Sequence, residues 1–264
     1  MNKNFENIIW FCGHFGVMIR EHAEKLIYRG KYGYISANRT LSKLEKEYGY
    51  LKRIDRGKRK TDGYKLTNKG VSYFKKHFGY EPKVFNSGDK LMHSIQIANF
   101  YTYLWQDYNN RYDKKNHIII EEINFKVQKP LQFKFENKEK VIIPDAFCIY
   151  RYLNNRGIAF FLEIENSNRN SANIANKTIK NYEGYFISEK WKYEKWQPKN
   201  KKIFPLVLIV TYSDWKMREL IRHFNKKRQI KINYLFKDYK SLKEEGISGY
   251  WTNLNNEKIK LISN

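Results

Sequence analysis

Apolar positions recur at helical spacing from the start of the chain: Phe5, Ile8, Ile9 and Cys12 share a face, and Gly13 and Gly16 then break the run. A second helix is predicted from about Ile19 to Tyr28, with Ala23, Leu26 and Ile27 inward and Gly30 and Gly33 beyond it. Ser36 or Asn38 can cap a third, in which Leu41, Leu44 and Tyr48 follow an i, i+3, i+7 pattern. Two short strands, Tyr50–Ile54 and Gly63–Leu66, flank the loop Asp55–Asp62, and Thr67-Asn68-Lys69-Gly70 opens a last helix. Three helices and then a hairpin is the order of a winged helix-turn-helix, expected over residues 1–80.

Glu81–Asp89, with Pro82 and Gly88, reads as a linker into a second domain over residues 90–264. That domain is expected to open with a helix of about Asp89–Tyr108, buried through Leu91, Ile95, Ala98, Tyr101, Tyr103 and Leu104. A strand His117–Val127, a turn region Gln128–Lys140 and two apolar strands, Val141–Tyr152 and Ile158–Glu165, follow. After the polar loop Asn166–Asn173 comes a helix, Ala172–Ser188. The unalternating run FPLVLIVT, Phe204–Thr211, predicts a strand buried on both faces. A helix Asp214–Lys227, a strand Ile230–Phe236 and a polar tail from Asp238 complete a helix, three strands, helix, strand, helix, strand order. Tyr250 and Trp251 are expected to pack the tail back. The fold class is therefore a two-domain α+β chain: a winged helix-turn-helix, then an α/β domain with a mixed sheet.

Charge changes the picture. The 264 residues carry 51 Lys+Arg against 27 Asp+Glu, a net +24 that suits a polyanionic partner, nucleic acid first. A membrane surface is the rival, but no apolar run approaches the ~18 residues of a spanning helix, so no membrane insertion is expected. Two cysteines, Cys12 and Cys148, lie in apolar segments and suit buried free thiols in a reducing compartment. Without a signal-peptide pattern at the start, the cytoplasm is the expected location.

Within the hairpin, Lys52, Arg53, Arg56, Lys58, Arg59 and Lys60 crowd around one acid, Asp55. Such crowding is relieved by phosphates, although a solvated hairpin tip also carries charge runs. On the third helix Arg39, Ser42, Lys43 and Lys46 form the outer face suited to duplex DNA. Later, in Ser188–Lys202, six lysines alternate with Trp191, Tyr193 and Trp196. Lys192 and Trp196 stand for this second candidate surface, since cations and flat rings suit locally single-stranded DNA. Equally, the rings can anchor a solvated loop.

The candidate chemistry lies in Val141–Glu165. Pro144-Asp145 precedes one strand and Glu163-Ile164-Glu165 ends the next; Glu163 and Glu165, two apart, share a face. Glu163, ending so apolar a strand, is costly unless paired or metal-bound. Convergence of Asp145, Glu163 and Glu165 at a sheet end would make a hard-oxygen site for Mg²⁺ or Mn²⁺, able to activate water and stabilise charge on a phosphate.

The Pro144-Asp145 and Glu163-Ile164-Glu165 motifs, in this element order, resemble the PD-(D/E)xK nuclease superfamily. With a winged helix in front, the segments YKLTNKG and FLEIENS and His93 early in its helix, the chain resembles the replication-relaxation family, similar to the nuclease-like relaxases of plasmids. That resemblance implies a protein that binds an origin of transfer or replication and nicks one strand, with accessory conjugation or replication proteins as partners. It implies a catalytic set of Asp145, Glu163, Glu165, His93 and a lysine. The motif position that usually holds lysine is Glu165, however. Either Lys180 or Lys177 of the following helix replaces it, or the nuclease fold is an inactive platform in an origin-binding or regulatory protein.

Overall fold

A computed structural model describes residues 2–55, 62–84, 88–111, 120–152, 157–166 and 169–261. The chain divides into two compact units, Met1–Gln106 and Asp107–Asn264.

The first unit opens with α1 (Lys3–Phe15), started by the Asn2 side chain accepting from the Asn4 N–H and stopped by Gly16 in the left-handed region (φ 81°). A two-residue strand β1 (Met18–Ile19) leads into α2 (Arg20–Leu26), and α3 spans Gly33–Lys46. The third helix thus begins at Gly33 rather than at a Ser36 or Asn38 cap. A Cβ at Gly33 would meet the Tyr28 carbonyl oxygen at 1.9 Å, so the turn into α3 closes only on glycine. Strands β2 (Leu51–Ile54) and β3 (Gly63–Leu66) pair antiparallel, and β1 adds to β3 in the order β1-β3-β2. Thr67 then caps α4 (Asn68–Phe78) by accepting from Gly70 N–H, while its own hydroxyl donates to Gly49.

The long helix α5 (Gly88–Arg111) runs through Gln106 within this first unit, so the division falls after α5's main contacts and not at the 81–89 segment. Its sequence explains why. Ile95 joins Val17 and Ile19 in one buried cluster, and Tyr101 packs on Phe11 and Phe15. His22 is buried; its Nδ1 accepts from the Ile19 N–H, so its Nε2–H donates to Asn99 of α5 at 2.7 Å.

The second unit is built on a seven-stranded mixed sheet. Its members are β4 (Ile120–Val127), β7 (Ala146–Tyr152), β8 (Gly157–Glu165), β9 (Leu206–Thr211), β10 (Tyr234–Asp238), β11 (Tyr250–Thr252) and β12 (Lys258–Lys260), in the order β12-β11-β10-β9-β8-β7-β4. Only β8, β9 and β10 run parallel. Parallel neighbours need crossovers, supplied by α6 (Ser171–Ile187) and α7 (Asp214–Lys227), which pack together with the sheet in one core. Buried Phe161, Ile179, Tyr182, Val207, Leu220 and Phe224 lie in that core, each contributing about 1.5–3 kcal/mol. Central β9 is buried nearly throughout, as its unbroken apolar run implies.

Two expectations are corrected. The segment read as a turn region contains β5 (Leu131–Phe135), which pairs with β6 (Lys138–Ile142) in a separate hairpin. Consequently Val141–Tyr152 is not one strand: β6 ends at Ile142, and β7 begins only after Pro144-Asp145, because proline has no N–H to continue a ladder. The tail, read as polar, also holds α8 (Tyr239–Glu245) and the β11–β12 hairpin, with Trp251 fully buried and donating to Ile247. Both cysteines are free and buried, and burial raises both thiol pKa values. No helix among the described residues is long and apolar enough to cross a membrane.

Candidate functional site

The site forms where β7 begins and β8 ends. The antiparallel register pairs Ala146 with Leu162; continued by one residue, it sets Asp145 opposite Glu163. Asp145 is half-buried, and its Oδ2 accepts from the Ile164 N–H at 2.7 Å, which ties the turn to β8. Glu163 is half-buried and accepts from the Tyr182 hydroxyl of α6 at 2.5 Å. Glu165 is buried and ion-paired to Arg169, Nη2 to Oε2, at 3.0 Å.

Beyond the carboxylates opens a cleft of about 490 Å³. Its walls are Glu163 and Glu165 of β8, Asn173, Lys177 and Asn181 of α6, Arg169 from the preceding loop, and Val141 and Ile143 around the end of β6. The loop into α6 is pinned from α7: the buried Lys216 ammonium donates to the Arg169 carbonyl at 2.6 Å, and Ser171 donates to Glu219. Asn170 caps α6 by accepting from Ala172 and Asn173. Arg169 is therefore held beside Glu165 by main-chain anchoring.

The electrostatics single out Glu163. Its pKa is pushed up to about 8, first by desolvation and then by the Asp145 carboxylate, with Glu165 adding to the rise; the Tyr182 hydrogen bond and the Lys177 charge oppose it. Tyr182's own pKa is raised well above the usual phenol value, by burial first and then by Glu163. A sign follows for stability. In the unfolded chain Glu163 loses its proton near pH ~4.3, but in the folded chain it keeps it to about pH 8. Between those limits the folded state binds more protons, so stability falls as pH rises, by up to ~1.4 kcal/mol per pH unit. Denaturant titrations across this window are expected to show that component in the wild type and to lose it in Glu163→Gln. Equal slopes for the two proteins would remove the raised pKa.

No family model, curated protein or solved structure matches the chain. The site therefore stands on its own residues.

Asp145 and Glu163 come together, and Glu165 lines the same cleft as Glu163. Among the described residues no group of three or more His, Cys, Asp or Glu side chains is placed to hold a metal ion, and Glu165 is engaged by Arg169. What remains is a pair. The pair suits Mg²⁺, which keeps several waters and commonly takes one or two protein carboxylates; a cation there would relieve the repulsion that raises the Glu163 pKa. Lys180 is exposed and absent from the cleft wall, whereas Lys177 lines it. His93 is half-buried on α5 in the first unit, not in the unit of the acids. Sequence reasoning missed Arg169 and the bond from Tyr182; the spacing of Glu165 and Arg169 by four was the available signal for the first.

On α3, Arg39, Lys43 and Lys46 are exposed and Ser42 half-buried, one stripe at i, i+3, i+4 and i+7. Arg53 is exposed but bound to Asp62 across the hairpin. Arg56, Lys58, Arg59 and Lys60 lie outside the described residues. In Ser188–Lys202 the anchoring reading holds for the tryptophans: Trp191 is buried and donates to Phe186 O at 3.0 Å, and Trp196 packs on Phe147 at 5.3 Å. Gln197 closes the segment on the carbonyls of Trp191 and Ile203. Lys192 pairs with Glu189, leaving Tyr193 as the segment's exposed ring.

Proposed function

We propose that the chain is a DNA-binding, metal-dependent endonuclease that nicks one strand at an origin of transfer or replication, with a winged helix-turn-helix in its first unit and a PD-(D/E)xK-like sheet in its second. The observation that carries this reading is the Asp145–Glu163 carboxylate pair, of which Glu163 lines a cleft whose wall also presents Lys177. Asp145 and Glu163 would hold Mg²⁺ or Mn²⁺. When bound, such an ion lowers the pKa of water and stabilises charge on the phosphate.

The chain's own residues supply the rest. Tyr182 fixes the Glu163 rotamer through its hydrogen bond and so orients the carboxylate toward the cleft. Lys177 sets a positive charge where non-bridging phosphate oxygens gain negative charge, an interaction stronger in the transition state than in the ground state. Arg169 neutralises Glu165, which would otherwise repel a phosphate. On the first unit, Arg39, Lys43 and Lys46 meet duplex phosphates or base edges.

Incubation of supercoiled origin plasmid with Mg²⁺ or Mn²⁺ tests the reading: open circles are expected from the wild type and none with EDTA. Replacing Arg39, Lys43 and Lys46 together with alanine should flatten the salt dependence of duplex binding by roughly 2 to 3 log units per log unit of salt. An unchanged slope would remove α3 from the DNA contact. A second reading, a non-enzymatic origin-binding or regulatory protein on an inactive nuclease fold, is favoured by one observation: the position expected to hold the motif lysine is Glu165, tied up by Arg169. Wild type that binds the origin but never nicks under either metal decides for it.

A further inference from the structure

Two large rings stand in solvent at the end of the sheet that carries the carboxylates. Register pairs Glu165 of β8 with Thr211, the last residue of β9, and the next residue, Tyr212, is 41% exposed. Trp215, in the first turn of α7, is 64% exposed. Neither ring has a hydrogen bond, ring contact or cation contact with the rest of the chain among the described residues. Exposing an indole to that extent forgoes the burial that made Trp191 and Trp251 structural, so these rings are available to a partner.

What lies along α7 beyond Trp215 gives that partner a charge. Trp215, Arg218, Arg222 and Lys226 are spaced by three, four and four residues, one stripe of a helix, spanning ~16 Å at ~1.5 Å per residue. Arg218, Arg222 and Lys226 line a groove of about 730 Å³ whose other side is the β11–β12 hairpin, including Lys258. Three acids lie nearby, one of them Glu257 of the β11–β12 hairpin, which accepts from the Asn253 side chain at 2.6 Å. Asp214 holds Arg218 at 2.8 Å, and Glu219 accepts from Ser171 of α6, so Arg222 and Lys226 have no acidic partner among the described residues. Lys258 donates to Thr252 at 3.1 Å and keeps its charge toward the groove.

Open rings followed by a cationic groove are the two parts of a single-strand binding surface: flat faces for unstacked bases and cations that follow the phosphates. A membrane-surface helix would instead present a continuous apolar face opposite its cations; here the apolar face of α7, Met217, Leu220, Ile221 and Phe224, is buried in the core. We propose that Tyr212, Trp215 and the Arg218–Arg222–Lys226 face of α7, with Lys258, bind single-stranded DNA, with base stacking at the carboxylate end of the sheet and the backbone running along α7. The proposal rests on the nicking reading only for why a strand is needed beside Glu163; binding itself is measured without cleavage.

The test is fluorescence anisotropy of a labelled oligothymidine of about 16 nucleotides, and of a duplex of equal length, with the full chain in EDTA. Trp215→Ala should weaken oligothymidine binding about 5- to 150-fold, the scale of losing one base stack, with Trp215→Phe retaining most of it. Duplex affinity should stay unchanged, since paired bases are already stacked on each other. Arg222→Ala with Lys226→Ala should reduce the salt slope for the single strand by about 1.4. The proposal is overturned if wild type does not bind oligothymidine, if Trp215→Ala and Tyr212→Ala bind as wild type does, or if Trp215→Ala weakens duplex and single strand alike. Oligothymidine binding that depends on Trp215 in a protein that never nicks sustains the track and removes the carboxylate reading. Nicking with no such dependence does the reverse.

Discussion

Asp145→Asn is expected to stop metal-dependent nicking, by ~10³-fold or more, the upper end of what losing one group that stabilises transition-state charge costs. It should do so without unfolding the chain. The choice of asparagine follows from the geometry: Asp145 Oδ2 accepts from the Ile164 N–H at 2.7 Å, and an amide oxygen can keep that bond while removing the charge that a cation needs. Asp145→Ala should lose nicking and also stability, because a half-buried N–H is left without its acceptor, at a cost of about 1–3 kcal/mol. Single-turnover nicking and thermal unfolding of both variants separate the two effects. If Asp145→Asn nicks as wild type does, the carboxylate has only the turn-closing role and the site is lost.

Lys177→Ala is expected to slow nicking by ~10² or more while Lys180→Ala leaves it within a few-fold of wild type. The difference lies in the phase of α6. Ala175, Ile179 and Tyr182 bury one face against the sheet, and that fixes which residues reach the cleft: Asn170, Asn173, Lys177 and Asn181. Lys180 is about 60° round the helix from Lys177, on the solvent side. Lys177 also acts on Glu163 electrostatically, opposing the rise in its pKa. Its removal should therefore raise the apparent pKa of nicking as well as lower the rate, a second readout that simple loss of a surface lysine would not give. Equal rates for wild type and Lys177→Ala would sink this assignment, and a loss confined to Lys180→Ala would reverse it.

Much of this site was legible in the sequence, for identifiable reasons. An apolar run ending in Glu163 announces a carboxylate that burial makes expensive, and the two-residue period of a strand gave its relation to Glu165. β9 was readable because five consecutive aliphatic residues, Leu206 to Val210, leave no polar face. What the sequence hid were features decided by pairing. The β5–β6 hairpin turns on Glu136-Asn137, both with positive φ (51° and 57°), in a stretch so rich in lysine and glutamate that it reads as loop. Whether Glu165 would serve a metal or a partner depended on where the Arg169 loop is anchored, and Lys216 and Glu219, which anchor it, come from a helix more than forty residues later. The rings at Tyr212 and Trp215 were passed over in favour of Trp191 and Trp196, because only packing distinguishes an exposed tryptophan from an anchoring one.

The most direct test is calorimetric titration of Mn²⁺ into the wild type, Asp145→Asn and Glu163→Gln, at a pH above about 8 so that Glu163 is ionised. Metal binding releases the proton that Glu163 still holds at lower pH, so affinity should rise with pH toward that value. A shared carboxylate site requires one saturable Mn²⁺ site in the wild type, lost in both variants while their folded state persists. No Mn²⁺ binding by the wild type, or binding undiminished in both variants, would contradict it.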